Sequence, residues 1–227
     1  MINKIIEALS KNCPCKFELV EQGVEQFDFY SASSLDYQRF LVVVHVDRLM
    51  TPGELNQWVL GNTPKELREL PAFAKNTDVV ILFELNSLSD IVNYESEVFY
   101  LEEDGYSFKK HVLYYSQEEL DLLNDIEVNE IPNLIKDQVK FRLYKKSPLT
   151  ESEYGIASRI FIKLPFLSVP VDESELDDPC VLADEGLQEA GLLELSNEFE
   201  RLFVSTGSDY QATVKEYIRG KMANSQA

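Results

Sequence analysis

The 227-residue chain is 44% hydrophobic and 27% charged, with thirteen Phe, eleven Tyr and one Trp. That composition supports a packed core of one large or two small domains and excludes an intrinsically disordered chain. Its 40 acidic and 21 basic residues give a net charge of −19, which excludes nucleic-acid binding over a broad face but not through a local basic patch.

Residues 2–11 pattern as a short helix with Ile2, Ile5, Ile6 and Leu9 on one face. Segments 16–21 and 26–31 read as strands of a hairpin around Gly23. Phe40 to Val46, FLVVVHV, is a nearly unbroken β-branched run, as expected of a strand covered on both faces. Thr51, Pro52 and Glu54 form a capping box with Pro at the first helical position, and the helix is expected to stop near Gly61. A second short helix follows Thr63-Pro64, and Asp78 to Leu85 is a second buried strand. Two such strands joined through helices predict a crossover unit in a mixed or parallel sheet.

Ser87 and Asp90 open a third helix whose stripe is Leu88, Ile91, Tyr94, Val98 and Leu101, with Asp90, Glu95, Glu97, Glu102 and Glu103 opposite. His111 to Ser116 reads as a strand, followed by a helix from Gln117 to about Leu123. Beyond it, Gln138 to Tyr144 and Ser158 to Leu164 pattern as strands, and Pro165, Pro170 and Pro179 break regular structure. Lys136, Lys140, Arg142, Lys145 and Lys146 make a local basic stretch, read as a solvated strand edge or as a contact to DNA inside an assembly. From Leu164 to Glu200 there are eleven acidic residues and no basic one, and Asp172 to Glu185 reads as an exposed loop. Two terminal helices carry stripes at Leu192, Leu195, Phe199, Leu202 and Phe203, and at Tyr210, Val214, Tyr217 and Ile218. The expected fold is mixed α/β, a central mixed sheet flanked by helices with a helical C-terminal appendage. The expected divisions are an α/β body over 1–124, a strand-containing extension over 125–171, an acidic linker over 172–186 and a helical segment over 187–227.

Cys13, Cys15 and Cys180 define no disulfide framework, the N-terminus lacks a secretory pattern, and no apolar run reaches membrane-spanning length. A cytoplasmic chain with no membrane association is expected. Catalytic patterns are sparse. Zinc needs four N or S ligands, commonly as spaced pairs, and Cys13-Pro14-Cys15 finds only Cys180, His45 and His111 as companions. No phosphate loop, dinucleotide fingerprint or nucleophile elbow is present. His45, Asp47 and Glu84 border the two buried strands where a metal-dependent nuclease could place ligands, and a Cys–His pair could in principle serve a thiol hydrolase. The bland reading of these residues is a satisfied core histidine and ordinary strand ends. An acidic DNA-mimic inhibitor is a further alternative. The sequence gives no reason to expect a cofactor, a metal or catalysis.

The most informative stretch is LEEDGYSFKKHVLYYSQEEL, Leu101 to Leu120. Glu102, Glu103 and Asp104 precede Tyr106 and Phe108, then Lys109 and Lys110, so a helix end passes through Gly105 into a strand. These seven side chains are either local ion pairs or a charged aromatic docking surface. The acidic triplet, the aromatic-x-Phe-Lys-Lys run and the strand after it resemble middle components of ABC-three-component systems of the Lamassu or Ddm type. DVVILFEL before the motif and YYSQEEL after it agree, so the resemblance covers roughly residues 40–123. Gly105 departs from the pattern, which expects a bulkier residue or proline there. The resemblance implies an accessory subunit that bridges an SMC-like ABC ATPase and an effector nuclease in bacterial defence against phage or plasmid DNA. It implies contact with DNA only through the complex, and brings no catalytic residue.

Overall fold

Runs of β-branched residues with no polar alternation can be accommodated only where both faces of a strand are covered, and the sheet shows that arrangement. The computed structural model describes residues 1–22, 26–32, 38–170, 178–206, 214–215 and 217–219. Five strands lie side by side in chain order: β1 (Phe17–Gln22), β2 (Phe27–Ala32), β3 (Phe40–Val46), β4 (Thr77–Leu85) and β5 (Lys109–Ser116). The first three pair antiparallel, and β3, β4 and β5 run parallel, with Phe40 opposite Thr77 and Asp78 opposite Lys109.

Both faces of the sheet are buried. Leu41, Val43, Val80, Leu82, Leu113 and Tyr115 point to one side, where Ile2, Ile5, Ile6 and Leu9 of α1 (Ile2–Asn12) complete the core. Val42, Val44, Val79, Ile81, Phe83 and Val112 point to the other, packing with Leu55 and Val59 of α2 (Pro52–Asn62), Leu67 of α3 (Lys65–Arg68) and Val98 and Leu101 of α4 (Glu95–Glu102). Each such fully buried side chain stabilises the fold by about 1.5–3 kcal/mol relative to exposure. The Thr51 capping box forms as expected: its side chain accepts from the Glu54 N–H, and Glu54 accepts from the Thr51 N–H at 2.9 Å. The third expected helix is two pieces, a 3-10 segment Leu88–Asn93 and then α4, in register enough that Leu88, Ile91, Val98 and Leu101 are all buried.

Two expected strands are helices. Residues after α5 (Gln117–Leu122) form α6 (Ile131–Lys136), α7 (Gln138–Lys146) and α8 (Glu153–Lys163). In α7, Val139, Phe141 and Leu143 do alternate, but Asp137 accepts from the Val139 and Lys140 N–H groups at 2.9 and 3.0 Å and starts a helix. In α8 the buried residues Ile156, Ala157, Ile160 and Phe161 follow helical spacing, and the Ser152 hydroxyl accepts from the Gly155 N–H at 3.0 Å. The strand-like run 158–164 was therefore the second half of a helix, which ends before Pro165 as the steric demand of proline requires. Ile131, Ile156 and Ile160 share a core with Ile2, so the expected boundary at 124 falls inside one packed unit.

The chain divides into two compact units, Met1–Pro170 and Val171–Ala227. Within the second, part of the expected acidic loop is α9 (Pro179–Glu189). Pro179 opens this helix instead of breaking one, with Asp178 accepting from the Cys180 N–H at 2.8 Å. Residues 171–177 lie outside the described residues. The expected terminal helix at 192–203 is α10 (Leu193–Thr206), whose Phe199 ring lies 5.2 Å from Tyr217. Most of the second expected terminal helix lies outside the described residues.

Candidate partner-binding surface

The motif from Glu102 to Lys110 divides into side chains that build the loop and side chains that the loop displays. Lys110, on β5, has its ammonium fully buried beneath the loop. It donates to Asp104 Oδ2 at 2.6 Å, the Tyr106 carbonyl at 2.9 Å and the Phe108 carbonyl at 3.0 Å, which uses all three protons. The Lys110 hydrogen bond holds the Asp104 carboxyl below its usual range, against a smaller opposing effect of burial. Phe108 is buried with its ring 5.8 Å from Phe73. Glu102 accepts from the Val112 N–H at 2.7 Å on the outer edge of β5, and from Lys163 of α8 at 2.6 Å. It thereby closes part of the sheet edge that would otherwise offer unpaired backbone groups.

Glu103, Tyr106 and Lys109 remain exposed, with Tyr106 at 81% of its full accessibility. The turn does not depend on Gly105, where a Cβ would meet nothing within 4 Å. Its left-handed residue is Ser107, at φ 63°. A bulkier residue at 105 would thus be accommodated, and the departure from the family pattern leaves the loop geometry intact.

The same helix that delivers Glu102 displays two aromatics that the sequence reading did not single out. Phe99 and Tyr100 are 67% and 64% exposed, beside exposed Val92, Glu95 and Glu97. Helical phase explains them: Val98 and Leu101 point to the core, and residues 99 and 100 then fall on the far side. That signal was available in the stripe itself. Tyr100 and Glu97 also border a hollow of about 200 Å³ with Leu49, Met50 and Thr51. Adjacent exposed aromatics on a rigid helix, ringed by carboxylates, are costly to leave in water and are enriched at interface centres.

Four of the residues weighed for catalysis, His45, His111, Cys13 and Cys15, are engaged in structural contacts. His45 is half-buried with Nε2 2.6 Å from Asn3 Oδ1, and burial pushes its pKa down. His111 Nε2 lies 3.4 Å from Asp78 Oδ1, while Arg39 Nη2 and Nε reach Asp78 Oδ2 at 3.0 and 3.1 Å. Burial pushes the Asp78 carboxyl up, but the His111 hydrogen bond and the Arg39 charge outweigh it and hold it low. Cys13 donates to the Ser10 carbonyl at 3.0 Å, and Arg39 donates to Cys15 Sγ at 3.6 Å. Burial, then the neighbouring Cys13, push the Cys15 thiol up, which opposes formation of a nucleophilic thiolate. Cys180 is exposed on α9, and Asp47 and Glu84 are exposed at the ends of β3 and β4. Among the described residues no group of three His, Cys, Asp or Glu side chains is placed to hold a metal ion. No described helix is long and apolar enough to cross a membrane.

Fold and surface together define a mixed α/β protein whose distinctive motif builds a loop beside an exposed aromatic helix face. Residues 39–140, somewhat under half of the chain, match the family model of the ABC-three component (ABC-3C) system Middle Component 1. The match runs from the start of β3 into α7, so it takes in the parallel strands of the sheet and the motif from Glu102 to Lys110. No curated protein and no solved structure matches the chain.

Proposed function

We propose that the chain is a non-catalytic accessory subunit of the Lamassu or Ddm type, which links an SMC-like ABC ATPase to an effector nuclease in defence against phage or plasmid DNA. The observation that carries the reading is the exposed Phe99–Tyr100 pair amid Glu95, Glu97 and Glu103, within the segment that matches the middle-component family. Its charge and aromatic content fit a basic protein surface with an apolar pocket. Engagement of the histidines and of Cys13 and Cys15 in structural contacts favours binding over catalysis.

The test is affinity purification of the tagged chain from a bacterium that encodes it, with the co-purifying proteins identified. Recovery of a long coiled-coil ATPase together with a nuclease is expected. Recovery of the chain alone overturns the reading. The variant Phe99→Ala/Tyr100→Ala is expected to weaken partner binding by roughly 2 kcal/mol or more with an unchanged melting temperature. Wild-type affinity in that variant would remove α4 as the docking face.

A further inference from the structure

The described surface also carries a groove of opposite electrostatic character. It has a volume of about 520 Å³ and is lined by Leu122 of α5, Leu143 and Tyr144 of α7, and Tyr154 of α8. Its walls are predominantly apolar, and its charged lining is the Lys140–Glu153 pair and Lys146. Along the outer face of α7, Val139 and Leu143 are 66% and 60% exposed, one helical turn apart. A soluble helix normally turns such a pair inward.

The charge around the groove is as unusual as its apolar face. The stretch from Lys136 to Lys146 holds five basic residues and one carboxylate, in a chain whose net charge is −19. That carboxylate, Asp137, is occupied by capping α7. Lys140 pairs with Glu153, and Lys145 lies over the Phe141 ring at 5.4 Å. Arg142 and Lys146 have no acidic partner among the described residues. Lys146 in the lining, with exposed Arg142 one turn before it on α7, complements a ligand that is itself apolar on one side and anionic on its flanks.

We propose that the groove between α5, α7 and α8 docks an acidic amphipathic helix of a partner protein. Its apolar face would lie against Leu122, Leu143 and Tyr144, and its carboxylates would meet Arg142 and Lys146. The nine residues of α7 span about 13 Å, room for two to three turns of a docked helix. Nucleic acid fits less well. Single strands are held by exposed aromatic platforms, whereas Phe141 and Tyr144 pack against Tyr154 at 5.8 and 5.4 Å. The assignment extends the accessory-subunit reading. Its test leaves the aromatic face of α4 untouched, so failure here removes the groove without removing that face.

The experiment titrates the full chain into a fluorescein-labelled designed helix with leucine along one face and glutamate elsewhere, read by anisotropy. A matched peptide with lysine replacing glutamate and a single-stranded oligothymidine serve as the comparisons. The acidic peptide is expected to bind in a salt-sensitive way, with the lysine peptide and the oligonucleotide far weaker. Leu143→Asp and Lys146→Glu are each expected to weaken binding by roughly tenfold. Both sites are exposed, and unchanged circular dichroism in both variants separates lost docking from lost fold. Absence of binding, equal binding of the lysine peptide, preferred binding of the oligonucleotide, or wild-type affinity in both variants overturns the proposal. Self-association of the chain that Leu143→Asp abolishes would assign the groove to a second copy and overturn it as well.

Discussion

Lys109 and Lys110 are neighbours in sequence and opposites in role, because successive residues of a strand point to opposite faces. Lys109 lies in solvent, whereas Lys110 ties Asp104 and two loop carbonyls together from below. Removing the buried cation takes this donor from both carbonyls and the counter-charge from Asp104, and a buried pair broken from one side costs on the order of 3–5 kcal/mol. Lys110→Met is therefore expected to lower unfolding stability by ~3 kcal/mol, and Lys109→Glu to stay within about 0.5 kcal/mol of wild type. Urea denaturation of the two variants measures this directly, and equal losses would contradict the assignment of Lys110 as the structural staple. Reversing both lysines together would therefore disturb the loop as well as its surface.

At the scale of elements, α8 is locked to α5 and β5 by one buried ion pair. Arg159 pairs with Glu119, donates to the Tyr114 carbonyl at 3.1 Å and lies 5.0 Å over the Tyr114 ring. Burial pushes the Glu119 carboxyl up despite the Arg159 charge, so the glutamate already sits in a site that resists its ionised form. Arg159→Met would leave that carboxylate without its cation and is expected to cost about 3–5 kcal/mol. Glu119→Gln, which keeps a hydrogen-bond acceptor and removes the charge, is expected to cost less. The double variant is expected to be more stable than the sum of single losses predicts, as contacting residues couple by about 0.5–3 kcal/mol. Additive losses in a thermal or urea double-mutant cycle would show that the two side chains are not energetically paired. Gly155 belongs to this joint for a steric reason, since a Cβ there would approach the Ser152 hydroxyl to 3.0 Å and Glu119 Oε1 to 3.4 Å.

For the molecule as a whole, both core clusters close between Ile2 and Leu167. No buried core residue comes from the second unit, Val171–Ala227, among the described residues. A fragment of residues 1–170 is expected to unfold cooperatively with a melting temperature within a few degrees of the full chain, since stability of a domain follows its buried apolar area. Calorimetry of the two proteins decides it, and a fragment without a cooperative transition would show that the core needs the second unit. The net charge belongs to this scale too. It is spread unevenly enough to leave an acidic aromatic face at α4 and a basic apolar groove at α7, two surfaces that suit different partners.

Strands β3 and β4 and helix α2 were legible in the sequence, because an unbroken apolar run and a capping box are decided locally, by burial on both faces and by one Thr–Glu exchange of hydrogen bonds. Helices α7 and α8 were not, since a short apolar pattern fits a period of two nearly as well as 3.6 until the surrounding core selects the face. The composition of the candidate surface was visible in the motif at 102–110, and its exposed aromatic neighbours followed from the stripe of α4. Which members of that motif face solvent was not visible. Charge and aromaticity are properties of a residue, and the sequence determined them. Whether Lys110 or Lys109 meets a partner depends on strand phase and on how the loop folds over β5, and only the tertiary structure decided that.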